Sequence, residues 1–210
     1  MINVAIADDH PLVREGIKRA LQKEIDIEVV SEAADGNELL ENLQETSPHI
    51  AILDITMPGK SGLDLLKDIK ARFPDLPVLI LSIHPPQRFA IRALKAGAQG
   101  YLCKTSISEE LVKAIHRIIK QKRKYITEEV ADQLAQQVDP TNAPTHESLS
   151  DREFQVMCMI ADGKEVSTIA EELSLSPHTI HTYRSRIKEK MNLESDVAMT
   201  RYAINNDLIY

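Results

Sequence analysis

Five short, nearly continuous apolar runs, at residues 2–7, 28–33, 50–53, 78–81 and 99–102, alternate with longer stretches of helical period as far as Lys120. Runs of this length are strand-sized. Strands that read apolar at nearly every position are buried on both faces, as in a parallel sheet covered by helices. The intervening stretches carry the wider spacing of Leu39, Leu40 and Leu43, or of Leu63, Leu65, Leu66 and Ile69, which puts an apolar stripe on a helix. The expected class is α/β, a doubly wound five-stranded parallel sheet.

An amphipathic helix from about Ser108 closes this half. A further helix is expected over residues 127–138, with Thr127 as its cap and Glu128 and Glu129 in its first turn. Residues 139–146 then contain two prolines and no periodicity, the composition of an exposed linker. After Ser150 every periodic segment is helical, with breaks expected at Gly163, at residues 174–177 and at 192–195. The chain therefore divides into an α/β domain over 1–122, a linker with one helix over 123–147, and a small all-α domain over 148–210.

Charge and composition exclude several roles. With 25 Lys plus Arg against 32 Asp plus Glu, the net charge of -7 argues against indiscriminate coating of nucleic acid or anionic membrane, while leaving room for a local basic surface. No apolar run approaches the roughly 18 residues of a membrane helix, and residues 1–9 lack a basic leader and a cleavage site, so a cytoplasmic protein without membrane contact is expected. Cys103 and Cys158 fall in separate modules and build neither a disulfide framework nor a zinc site.

Asp8 and Asp9 follow the first run and Asp54 follows the third. In the commoner five-strand order these strands are neighbours, and the crevice at their carboxyl ends is where ligands bind. Three carboxylates sharing a pocket repel one another unless a hard divalent cation sits among them, and Mg²⁺ is the natural choice. Ser82 and Lys104 reach the same edge, adding a hydroxyl and a compact cation suited to phosphoryl oxygens. Alone, the Asp pair would serve equally well as a cap for the helix that begins at Pro11.

Asp8-Asp9, then Asp54-Ile55-Thr56-Met57-Pro58 and Gly62, then Ser82, then Gly97, Tyr101 and Lys104, together resemble the receiver domain of bacterial two-component response regulators, a flavodoxin-like fold. The resemblance implies that Asp54 accepts a phosphoryl group from a cognate histidine kinase. It implies that Asp8, Asp9, Asp54 and the Thr56 carbonyl hold Mg²⁺, that Lys104 and Ser82 contact the phosphoryl oxygens, and that Tyr101 is an aromatic switch. Such a domain is a phosphoryl acceptor, capable of its own phosphorylation and dephosphorylation, and not an enzyme acting on other molecules. Thr105 follows Lys104 where many receivers have proline, and a non-proline cis bond costs about 2.5 to 4 kcal/mol, so a trans or strained peptide is expected there. Ile83, beside the switch hydroxyl and ahead of His84, is expected to limit access to the phosphate and slow its loss. A Mg²⁺-dependent phosphatase of the haloacid-dehalogenase type would want a second acid two residues after Asp54, where Thr56 stands.

In the second module, a helix starting near Leu149-Ser150, a second over 165–173 and a third opened by Ser176-Pro177 make a helix-turn-helix pattern. Ile180, Tyr183, Ile187 and Met191 are expected to pack inward, leaving His178, His181, Thr182, Ser185 and Lys188 outward. Residues 177–190 carry Arg184, Arg186, Lys188 and Lys190 against Glu189 alone, whereas residues 149–210 as a whole hold 7 basic and 10 acidic residues. Positive charge is thus concentrated where a helix would enter a major groove.

Leu149, Arg152, Glu153, Gly163, Ile169, Leu173, Ser176, Thr179, Ile180, Arg184 and Ile187 resemble the LuxR-type C-terminal domain, and the pair of modules resembles the NarL/FixJ class of response regulators. The resemblance implies sequence-specific binding of double-stranded DNA by a homodimer formed on activation, with RNA polymerase a partner open to it. His181, Thr182 and Ser185 would read base edges, while Ser176, Thr179, Arg184 and Lys188 would touch phosphates. His181 and Tyr183 replace the usual lysine and histidine, and a histidine on a reading helix makes DNA affinity pH-sensitive. The last helix, residues 195–206 with Val197, Met199, Ala203 and Ile204, is the expected dimer element, setting half-sites roughly 34 Å apart. A phosphorylation-independent adaptor with a protein-binding helical module is the alternative.

Overall fold

The computed structural model describes residues 1–57, 60–136 and 146–209. The chain forms two compact units, Met1–Leu134 and Ala135–Tyr210. No helix among the described residues is long and apolar enough to cross a membrane.

The first unit alternates strands and helices: β1 (Ile2–Ala7), α1 (Pro11–Leu21), β2 (Ile27–Ala33), α2 (Gly36–Thr46), β3 (Ile50–Asp54), α3 (Gly62–Arg72), β4 (Val78–Ser82), α4 (Pro86–Lys95), β5 (Gly100–Cys103) and α5 (Ile107–Gln121). The strands pair in parallel in the order β2-β1-β3-β4-β5. Every residue of β3 and β4 is buried, which explains their unbroken apolar sequence, interrupted only by Asp54 and Ser82 at their carboxyl ends. Ile17 and Leu21 of α1 and Leu111, Ala114 and Ile115 of α5 close one face of the sheet over Val4, Ile6, Leu79 and Leu102. Each fully buried aliphatic side chain contributes about 1.5 to 3 kcal/mol, so this layer fixes the strand register that sets the carboxyl edge.

Local chemistry fixes the helix ends. The Asp35 side chain accepts from the Asn37 and Glu38 amides at the start of α2. Past α5, the chain returns to the sheet. The Tyr125 amide donates to the Gln99 carbonyl at 2.7 Å, and Tyr125 bridges in parallel to Gly100. A side chain at Gly100 would meet Tyr125 Cβ at 3.0 Å and Leu79 Cδ1 at 2.9 Å, so glycine admits this approach. Helix α6 spans Glu128–Gln136. Val138, at the end expected for it, and the proline-containing stretch 139–145 lie outside the described residues.

The second unit contains α7 (Asp151–Ala161), α8 (Val166–Glu172), α9 (Pro177–Met191) and α10 (Asp196–Asn205). The three expected breaks each carry a left-handed residue, Gly163 at φ 82°, Ser174 at 53° and Asn192 at 53°. Ser150 opens α7 with a reciprocal capping box, its side chain accepting from the Glu153 amide and Glu153 accepting from the Ser150 amide. Phe154, Met157 and Cys158 of α7 are buried with Ile169, Ile187 and Met199, so the Met157-Cys158-Met159 run is core. Tyr183 is only half-buried, unlike Ile180, Ile187 and Met191 beside it.

Candidate phosphoryl site and nucleic-acid interface

The carboxyl ends of β1, β3, β4 and β5 bring Asp8, Asp54, Ser82 and Lys104 to one edge, because the parallel register aligns all four strands in the same direction. Lys104 Nζ lies 2.8 Å from Asp54 Oδ2 and 2.6 Å from Asp8 Oδ2. Both carboxylates are almost wholly buried. Burial pushes the Asp54 carboxyl up to about 6, against the pull of the Lys104 ammonium and with Asp8 adding repulsion. Burial works against the charge on Lys104, and the two carboxylates outweigh it, holding its ammonium above the ordinary range.

Asp8 does not cap α1. His10 occupies the cap position without a side-chain bond, and its amide donates instead to Asp8 Oδ1 at 2.9 Å. The carboxylates of Asp8, Asp9 and Asp54 and the His10 ring place ligand atoms within 4.8 Å of one another. Asp8 Oδ2 and Asp9 Oδ1 are buried oxygens whose near neighbours are the Lys104 ammonium at 2.6 Å and the His10 ring at 2.7 Å. A cluster of three carboxylates fits a hard divalent cation. The Thr56 amide donates to Asp54 Oδ1 at 3.1 Å, which orients the carboxylate.

Ser82 and Tyr101 meet at His84. Ser82 Oγ accepts from the His84 amide at 3.2 Å, and the fully buried Tyr101 donates its hydroxyl to the His84 carbonyl at 2.8 Å. The His84 ring lies 3.3 Å from Thr56 Oγ1 and 3.1 Å from Arg88 Nη1. Burial pushes the Tyr101 phenol well above its ordinary range, so it stays a neutral donor. No cis peptide occurs among the described residues, which makes Lys104-Thr105 trans as Thr105 predicts. Ile83 is 63% exposed, its side chain turned largely to water.

In the second unit, Ser176 caps α9, its oxygen accepting from the Thr179 amide, with Pro177 in the first turn. His178, His181 and Ser185 are exposed, and Thr179 and Thr182 are half-buried. Arg184 makes a two-pronged ion pair with Asp196 at the start of α10, and Lys188 Nζ lies 2.9 Å from the same carboxylate. Lys190 donates to the buried Glu153 of α7 at 2.6 Å. Arg184 and Lys188, the two cations among the residues expected to touch phosphates, thus share one acid.

Residues 4–116 match the family model for the response regulator receiver domain, and residues 147–203 match that for bacterial regulatory proteins of the luxR family. The chain belongs to the response regulators. It is 38% identical to the response regulator UvrY of Escherichia coli (strain K12) over 211 aligned residues, 99% of this chain and 96% of UvrY. It is 37% identical to the response regulator GacA of Pseudomonas protegens over all of this chain and 98% of GacA. Among solved structures, RcsB of Salmonella enterica serovar Typhimurium, bound to promoter rprA in the presence of the phosphomimetic BeF3-, is 30% identical. It superposes with a TM-score of 0.66 over 96% of this chain and 97% of that one.

In this response regulator, residue spacing pointed to every strand-end group that the fold gathers, and missed two histidines. His10 and His84 follow Asp9 and Ser82 in sequence, and adjacency to a strand-end acid or hydroxyl was the available signal. Asp196 was missed because its tie to Arg184 spans a turn and joins two helices. The helix expected to dimerise is divided: Met199 and Ala203 are core, while Val197 and Ile204 are exposed.

Proposed function

We propose that this response regulator is a cytoplasmic, phosphorylation-controlled transcription regulator. It has a receiver over 1–122, a linker with one helix over 123–147, and a DNA-binding domain over 148–210. Asp54 is the phosphoacceptor. A carboxylate oxygen of Asp54 attacks phosphorus in a phosphohistidine of the partner kinase; the P–N bond breaks with its electron pair going to nitrogen, a P–O bond forms, and the imidazole, already protonated on its other ring nitrogen, leaves as the neutral ring. Small phosphodonors would load the same carboxylate, and water would unload it.

Asp8, Asp9, Asp54 and the Thr56 carbonyl would hold Mg²⁺, which when bound neutralises charge on the phosphoryl oxygens. Lys104 and Ser82 bond those oxygens, and Tyr101 reports the change through its link to the His84 carbonyl. Ser176, Thr179, Arg184 and Lys188 would engage DNA phosphates, and His181, Thr182 and Ser185 would face base edges. The active form is a homodimer, a state that places two reading helices on half-sites, with RNA polymerase a further partner at the promoter.

The observation that carries this reading is Lys104 set between two buried carboxylates at the edge of a parallel sheet, where an acid, a cation and a hydroxyl converge. A phosphatase is disfavoured because Thr56, where a second acid would stand, has its hydroxyl beside the His84 ring. The test is incubation with Mg²⁺ and acetyl phosphate, wild type against Asp54→Asn, reading intact mass and binding to DNA fragments. A gain of one phosphoryl group in wild type alone, with tighter DNA binding, is expected. Turnover of the donor without a phosphoprotein would favour the phosphatase, and DNA binding indifferent to salt would favour the adaptor.

A further inference from the structure

The four cations of α9 are not equally available. Arg184 and Lys188, four residues apart and so on one face, converge on Asp196. Lys190 turns away to Glu153. Among the described residues, Arg186 alone of the four has no ion pair. Asp196 is a first-turn residue of α10, which starts from a Ser195 cap, so the acid is fixed by its own helix and not by the cations it holds. Burial would raise the Asp196 carboxyl, and the Arg184 and Lys188 donors outweigh it, holding it below the ordinary carboxylate range. Asp196 therefore keeps its negative charge wherever DNA binding is of interest.

We propose that Asp196 is a specificity-determining residue, a resident anion that competes with DNA phosphate for Arg184 and Lys188 and so suppresses binding to arbitrary sequence. This rests on the DNA-binding reading of the second unit. Two cations sharing one carboxylate present a net single positive charge to an approaching phosphate, and the carboxylate repels it. The guanidinium's planar fork is already matched by a carboxylate, which is the geometry a phosphate would otherwise take. A complex whose base contacts are wrong gains too little to displace this acid. Contacts to the right bases supply the remainder.

The test measures binding of the full-length protein to a short random-sequence duplex across a salt series, comparing wild type with Asp196→Asn. The asparagine keeps an oxygen acceptor for Arg184 and removes the charge. Affinity for the random duplex is expected to rise about tenfold, roughly one phosphate-scale electrostatic contact, and the log–log salt slope to steepen by about 0.9. Asp196→Ser, also suited to a first helical turn, should reproduce the rise if the asparagine variant misfolds. Unchanged or weaker binding by a folded variant means Asp196 only staples α9 to α10, and overturns the proposal while the DNA-binding reading stands. No salt-dependent binding of wild type to any duplex overturns both.

Discussion

The Tyr101 hydroxyl reaches across from β5 to donate to the His84 carbonyl at 2.8 Å, from a ring that is 1% exposed. The bond ties the aromatic to the loop that follows Ser82, so movement of one is felt by the other. Tyr101→Phe keeps the packed ring and removes its bond to the carbonyl of the half-buried His84. The receiver is expected to lose about 0.5 to 1.5 kcal/mol in urea denaturation. Phosphorylation of Asp54 should persist by intact mass, while the associated gain in DNA binding falls. A variant with full DNA response would show that the hydroxyl carries no signal.

The pH dependence of the metal-free receiver should be set by Asp54. Its carboxyl is raised by burial from 3.8 to about 6 in the folded protein, so the folded state holds this proton more tightly than the unfolded chain. The stabilisation is full below 3.8 and is lost as pH rises through about 6. Urea midpoints of wild type should therefore fall across that window. Asp54→Asn should flatten the curve, and added Mg²⁺ should raise the wild-type midpoint at neutral pH. Lys104→Met, which strands two buried carboxylates, is expected to cost about 3 to 5 kcal/mol at neutral pH in metal-free buffer.

Gly62 is a steric requirement of the same loop. A Cβ there would lie 2.4 Å from the Asp54 carbonyl and 2.5 Å from Ile55 Cα, both backbone atoms that cannot swing aside. Gly62→Ala should therefore displace the start of α3 from the β3 end, costing about 1 to 3 kcal/mol. Slower loading by acetyl phosphate should accompany the loss, since the β3 end that Gly62 packs against carries Asp54. An alanine variant with wild-type thermal stability and loading rate would show the loop to be more pliant than its contacts imply.

These groups differ in how far the sequence discloses them. Asp8, Asp54, Ser82 and Lys104 are legible because each ends or follows a buried strand, and a polar residue abutting an apolar run stands out. Parallel pairing in the order β2-β1-β3-β4-β5, which the resemblance supplied, then brings them together. The partners of His10 and His84 depend on loop geometry that no periodicity encodes. Residues 123–127 read as linker because their Arg-Lys-Tyr composition lacks any period, yet Tyr125 lies against the sheet through a backbone bond to Gln99 and a parallel bridge to Gly100. On α10, the apolar pattern names four residues without saying which face the unit buries, since Met199 and Ala203 suffice for its own core.

That division makes the dimer face testable. Val197 and Ile204 are 78% and 54% exposed and seven residues apart, so they lie along one stripe of α10, opposite the buried Met199 and Ala203. A two-fold pairing of this stripe would bury both side chains against their symmetry mates. Replacing both by aspartate puts like charges face to face in the dimer, while as exposed positions they should each change monomer stability by only about 0.5 kcal/mol. Thermal unfolding of the double variant is thus expected to match wild type. Sedimentation on a duplex carrying two half-sites should shift from a two-chain to a one-chain complex, with cooperativity lost. A double variant that still loads as a pair would place the DNA-bound interface elsewhere on the chain.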